Sequence, residues 1–356
     1  MNNYVPFLKL KTGEIGALST LDGKIKSSIV PFIDLPKKDG MTPEAFKTLV
    51  DKGAKSIANH LKQFPMFFLD NFDIDDSLKV DGEHNYNYAI KSFGKINFSP
   101  VVGLDRAPGR NEAVFKAKET GQLATNTIAL RLQSEDFENF SLVADEIDQL
   151  LKRGKGLFSD WVLVLDNRFC ADVAPLQRAS ILAKFIHDSS AAAKFSAIIV
   201  TGSSMPPSIG DVTGVLTEHD HSRIEIAIYR ALRKQVDGSK LFCGDYTIVS
   251  PLYSEVKLAP EVMYNVMTAK VVYSHGDIHY VARGGALKTH PRGNLQYNDI
   301  FAQIVTKKFY RKPMFSFGDK FIWDRTVSTG VMVTPASVLK PMINAHMSYM
   351  FSSFSA

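Results

Sequence analysis

Only two of the 356 residues are cysteine, Cys170 and Cys243. That excludes a disulfide framework and makes a reducing cytoplasm the expected setting. No run of 18 apolar residues occurs, so neither a transmembrane helix nor a membrane partner is expected. The opening MNNYVPFLKLKTGE lacks a cationic segment followed by an apolar one, so no secretory signal is expected. Two signatures of hydrolytic chemistry, H-E-x-x-H and G-x-S-x-G, are missing. An excess of charge is missing as well. The net charge is +5; residues 301–356 alone carry +5 and residues 251–300 carry +1, so the first 250 residues sum to −1. A uniformly basic nucleic-acid binder is thereby excluded. Only Lys307, Lys308, Arg311 and Lys312, interleaved with Phe309, Tyr310 and Phe315, form a candidate nucleic-acid surface, which Asp319 and Asp324 interrupt.

What is present is alternation. Apolar runs at 5–10, 29–35, 66–72, 98–105, 127–132, 161–166, 196–202 and 241–249 suit strands buried on both faces. Helix signals lie between them: Thr42 with Pro43 at a first helical position, Ser134 as the expected N-cap of the stretch ending at Gly154, and the amphipathic stretches 174–190 and 221–238. Eight strands with helical crossovers over residues 5–249 predict a closed (β/α)8 barrel of the TIM type. An open doubly wound sheet is the alternative, but KTGEIG after the first strand is not its G-x-G-x-x-G loop. The region 251–356 predicts a closing helix and a β-containing cap packed on the barrel as one compact unit. Within it, a hairpin turns at His275–Gly276–Asp277, a helix ends before Pro313, and two short strands flank Gly318–Asp319.

Strand parity yields the candidate site. Small residues such as Ala129, Val164 and Cys243 are expected to face into the barrel. That phase ends the eight strands on Lys9, Asp34, Asp70, Asp105, Arg131, Asp166, Thr201 and Asp245, at intervals of 25 to 44 residues. A barrel gathers these ends at its C-terminal mouth, where barrel enzymes keep their sites. Asp34, Asp70, Asp166 and Asp245 are the candidate acid–base or metal-holding groups, with Mg²⁺ the cation such carboxylates suit. Lys9 and Arg131, with Asp105, Thr201 and Ser203, are the candidate ligand-binding groups. The loop TGSSMPPSIG at 201–210 offers N–H groups and hydroxyls to a phosphate. The expected ligand is an anionic small molecule, a phosphate ester or nucleotide. The same residues could equally form a salt-bridged plug with no ligand. His219–Asp220–His221 in an expected polar loop, and His275 with His279, have metal-like spacing, and Arg168 beside Cys170 would favour a thiolate.

The chain also carries YVPFLKLKTGE at 4–14, IVPFIDLPK at 29–37, FCGDYTIVSP at 242–251 and SFGDKFI at 316–322. In these motifs, their order and their spacing it resembles the Beta protein family of bacteriophages and prophages, over essentially the whole chain. INAHMSY at 343–349 is similar to the family's histidine-bearing terminal segment, without the tryptophan that usually precedes it. Many members carry Glu where this chain has Asp34. The resemblance implies a phage-type accessory or conflict-related protein, whose partner is a phage or host macromolecule if it is a non-catalytic interaction module. It brings no catalytic roles with it.

Overall fold

The computed structural model describes residues 3–254, 265–327 and 332–352. Eight parallel strands close a barrel: β1 (Tyr4–Lys9), β2 (Phe32–Asp34), β3 (Phe67–Asp70), β6 (Phe98–Val102), β7 (Thr127–Gln133), β8 (Asp160–Phe169), β9 (Ala197–Ser203) and β11 (Leu241–Asp245), which returns to β1. The two short strands β4 (Lys79–Val80) and β5 (Glu83–His84) form a separate ribbon. Helices α1 (Thr12–Ser19), α2 (Gly23–Lys26), α3 (Pro43–His60), α4 (Asn85–Phe93), α5 (Pro108–Glu119), α6 (Phe140–Gly154), α7 (Pro175–Ala192) and α8 (Ile224–Arg233) follow in the crossovers. Thr42 caps α3 by accepting the Ala45 N–H at 3.2 Å, with Pro43 at the first position.

The interior holds Val5, Phe7, Phe32, Phe68, Val101, Ala129, Val162, Val164, Ile199 and Tyr246, and a larger apolar shell packs strands against helices. Small residues do face inward on β7 and β8. On the first three strands the inward residues are phenylalanines, with Phe7 and Phe32 stacked at 4.3 Å. These aromatic rings lie across the barrel from the smaller inward side chains of β7 and β8.

Beyond the barrel, β10 (Thr217–Ser222), β12 (Thr268–His275) and β13 (Ile278–Ala286) make an antiparallel sheet in the order β10-β13-β12. The hairpin turns at Gly276–Asp277 as its sequence predicts. His219–Asp220–His221 lie on β10 rather than in a loop, because pairing with β13 completes the sheet. The helices α9 (Gln296–Thr306), α10 (Phe317–Val327) and α11 (Pro335–Ser352) follow, and α11 packs on α1 and β1 to close the helical ring. Two expectations fail. Residues 317–327 are a helix, not two strands: Gly318 sits where a Cβ would lie 2.0 Å from the Pro341 carbonyl, so its bare backbone is what lets α10 meet α11. The N-cap of α6 is Asn139, not Ser134, since residues 134–138 form a turn that leads Phe137 into the core.

Candidate functional site

Arg131 ends the inward face of β7 and is wholly buried. Its Nη1 donates to Asp34 Oδ1 at 2.7 Å and to Asp70 Oδ2 at 2.8 Å. Its Nη2 donates to Asp166 Oδ2 at 2.7 Å and to the Tyr246 hydroxyl at 2.8 Å. Tyr246 in turn donates to Asp166 Oδ2 at 2.6 Å. Arg106 grips Asp70 from the other side with two parallel bonds of 2.8 and 2.9 Å, the strongest geometry open to a guanidinium and a carboxylate. Three of the expected ring residues therefore converge on a fourth.

The layer above is built the same way. Lys9 Nζ donates to the Pro251 carbonyl at 3.1 Å, lies 3.5 Å from the Tyr253 ring centre and sits 3.9 Å from Asp73. Arg168 donates to Asp73 at 3.3 Å and to Pro251. Phe72 lies beside three guanidiniums, at 4.5 Å from Arg168, 4.6 Å from Arg131 and 5.1 Å from Arg106. Burial pushes Asp34 up to about 6 even though Arg131 opposes it, because Asp70 and Asp73 add to the effect. Burial acts on Asp70 too, yet Arg106 and Arg131 outweigh it and hold that carboxyl below its ordinary range. Burial lowers Lys9 to about 8, against the pull of Asp73. Burial also raises Glu14, which accepts the Lys9 backbone N–H, to about 7.

Asp245 is not in this ring. On β11 the inward residues are Phe242, Gly244 and Tyr246, while Leu241 and Cys243 belong to the outer shell. The phase predicted from Cys243 is off by one. The small inward residue is Gly244, where a Cβ would come within 2.7 Å of Thr201 and 2.9 Å of Phe7. Asp245 therefore points outward, where it accepts from Tyr4 at 2.8 Å, Arg223 at 2.7 Å and His346 Nε2 at 2.9 Å. An ionised carboxylate only accepts, so His346 carries its proton on Nε2 and its Nδ1 accepts from Ser274 Oγ at 2.7 Å. Ser274 then accepts from His279 Nδ1 at 2.8 Å, which leaves the buried Nε2 of His279 with no partner among the described residues. This chain ties the barrel to β12, β13 and α11.

None of the remaining predicted residues bonds to Arg131, although Thr201 keeps the inward phase, in register with Asp166. Asp105 is exposed, three positions beyond the end of β6, and pairs with Arg106 at 3.1 Å. Thr201 is buried and its hydroxyl has no partner among the described residues. Ser203 Oγ donates to the Val249 carbonyl at 3.1 Å. In the adjoining loop the Ser204 N–H and hydroxyl both bond the Glu225 carboxylate, at 3.1 and 2.6 Å, so the chain's own anion fills the expected phosphate cradle. Burial pushes the Cys170 thiol up, removing the reactive thiolate. Among the described residues no group of three or more His, Cys, Asp or Glu side chains is placed to hold a metal ion. Arg106, Tyr246, Phe72 and Asp73 are the site residues that strand parity misses, because all but Tyr246 sit on loops past the strand ends and Tyr246 follows a misphased strand.

The family profile described as Beta protein matches residues 4–352. No curated protein matches the chain. Among solved structures, a psychrophilic glycoside hydrolase family 10 endo-β-1,4-xylanase is similar at 12% identity and a TM-score of 0.36, over 68% of this chain and 85% of that one. The chain belongs to the Beta protein family.

Proposed function

We propose that this Beta protein is a non-catalytic recognition module, a barrel whose mouth is a structural plug. The observation that carries this reading is that Asp34, Asp70 and Asp166 are all buried and each is held by Arg131 within 2.8 Å. A general acid or base must reach a reacting atom, and these carboxylates are already engaged. The recognition face is then the outside of the molecule, and the resemblance to phage and prophage proteins makes a phage or host macromolecule the partner. The two free, buried cysteines fit a cytoplasmic setting. Among the described residues no helix is long and apolar enough to cross a membrane.

The nucleic-acid alternative has less support. Lys307 pairs with Glu218 at 2.7 Å, and Lys320 pairs with Asp324. Phe309 stacks on His275 at 4.0 Å, so its ring is not free to meet a base. The leading expectation, turnover of a phosphate ester at the mouth, is the outcome that would displace our reading. Incubation with aryl phosphates and nucleotides, with and without Mg²⁺, should release no product. Turnover that disappears in Asp166→Asn with the fold intact would establish an enzyme instead.

A further inference from the structure

The barrel wall carries a cavity of about 590 Å³ between α1 and α3, closed at one side by Lys340 of α11. It exists because α1 has only eight residues against the eighteen of α3, so part of the α3 face is left uncovered. Leu10, Ile15, Pro36 and Leu49 give it an apolar floor. Its ionisable groups are Lys11, Lys52, His60 and Lys340, with no carboxylate among its lining residues. None of the four has an ion-pair partner among the described residues, whereas cations at the mouth are all matched. Glu14, the acid in the first turn of α1, is turned inward onto the Lys9 amide, and no side chain caps the start of α1 beside Lys11. Thr12, Ser19 and Ser56 add hydroxyls. A second cavity of equal volume, on the three-stranded sheet, mixes Glu218 and Asp299 with Arg283 and Lys307 and has no such charge bias.

We infer that the α1–α3 cavity binds an organic phosphate with an apolar body. Its volume falls in the range of small-molecule sites. Lysines act on phosphate as point charges, the open helix start favours an anion, and the floor gives a ring or chain a surface to cover. Binding here requires nothing of the mouth, so it adds a ligand to the proposed recognition module without depending on that reading.

The probe is 1-naphthyl phosphate, followed by its own fluorescence. Saturable binding is expected, weakened about tenfold or more in Lys52→Glu and in Lys340→Glu, unchanged in Lys307→Glu at the second cavity, and reduced by salt. 1-Naphthol and inorganic phosphate, each lacking half of the recognition, should bind far more weakly. Circular dichroism melts establish that each variant is folded. Absence of saturation, equal binding of 1-naphthol, or full affinity in folded Lys52→Glu and Lys340→Glu would overturn the inference. Release of naphthol that requires Asp166 would overturn the non-catalytic reading while leaving the cavity as a binding site.

Discussion

The plug at the mouth and the joint at Asp245 both bury charge at strand ends, but they neutralise it differently. The plug sets Arg131, Arg106, Arg168 and Lys9 against Asp34, Asp70, Asp73 and Asp166. The joint sets one arginine, Arg223, against Asp245 and Glu225, and completes the network with neutral His346 and His279. Both begin from one local device. Asp166 accepts the Arg168 N–H at 2.8 Å and Asp245 accepts the Thr247 N–H at 3.0 Å. Arg168 and Thr247 sit at φ of 51° and 59°, so the aspartate at 166 accompanies a register shift within β8, and the one at 245 turns the chain out of β11. One face then decides the outcome: Asp166 points into the barrel and meets guanidiniums, whereas Asp245 points out and meets a helix. The difference teaches that the mouth neutralises its carboxylates with matched cations, whereas the joint completes its network with imidazoles kept neutral by burial.

The largest effect expected is at the centre of the plug. Arg131→Met removes one cation from three carboxylates that have no route to water. Breaking a buried pair in this way costs about 3–5 kcal/mol. Chemical denaturation at pH 7 should show a loss of that size or an unfolded variant. A loss below about 1 kcal/mol would mean that water reaches these carboxylates, and the contrast with the joint would collapse.

The second test is pH. Burial lowers the pKa of His346, although Asp245 pulls it up, and lowers that of His279 well below its ordinary value. Both are neutral when folded and take up protons more readily when unfolded. Their stabilisation is therefore complete above the unfolded value near 6.5 and is lost as pH falls below it, by about 1.4 kcal/mol per pH unit for each proton. Asp34 has the opposite sign. Its folded value of about 6 lies above the unfolded one, so its contribution is present at low pH and is lost as pH rises through 6. Glu14, raised to about 7, has the sign of Asp34, so the joint is read from a difference: between pH 7.5 and 5 the parent should lose stability relative to His346→Gln. A variant whose pH profile matches that of the parent would remove His346 from the account of the joint.

Much of this was legible in the residues. Eight apolar runs at β/α spacing yield the closed barrel, and the parity of β7 and β8 places Arg131 and Asp166 on one inner face. Parity fails on β11 because Cys243 and Gly244 are both small, and only the approach of Phe7 and Thr201 to Gly244 decides which faces inward. It cannot find Arg106, Phe72 or Asp73, since loops carry no period. The sequence also left open whether the ring was a site or a plug. That depends on how many cations reach the carboxylates; Arg106 arrives from a loop, and Arg168 from the irregular end of β8, where the register shifts between Asp166 and Phe169. The α10 helix was hidden by Gly318, which reads as a turn until the packing of α11 against it is known.

The smallest effect should come from Phe72, whose half-buried ring lies beside the plug. A ring edge or face next to three guanidiniums adds attraction from its quadrupole, about 0.5–2 kcal/mol where the cations are desolvated. Phe72→Leu keeps an apolar side chain of similar reach and leaves every ion pair in place, so denaturation should show a loss in that range, clearly below that of Arg131→Met. The pH slope between 7.5 and 5 should stay as in the parent, because the histidines at Asp245 do not touch this ring. A loss as large as that of Arg131→Met would mean that the aromatic cover, and not the ionic network beneath it, keeps water out of the mouth. A steeper slope would mean that Asp34, whose raised pKa opposes the histidines, is exposed once the ring is gone.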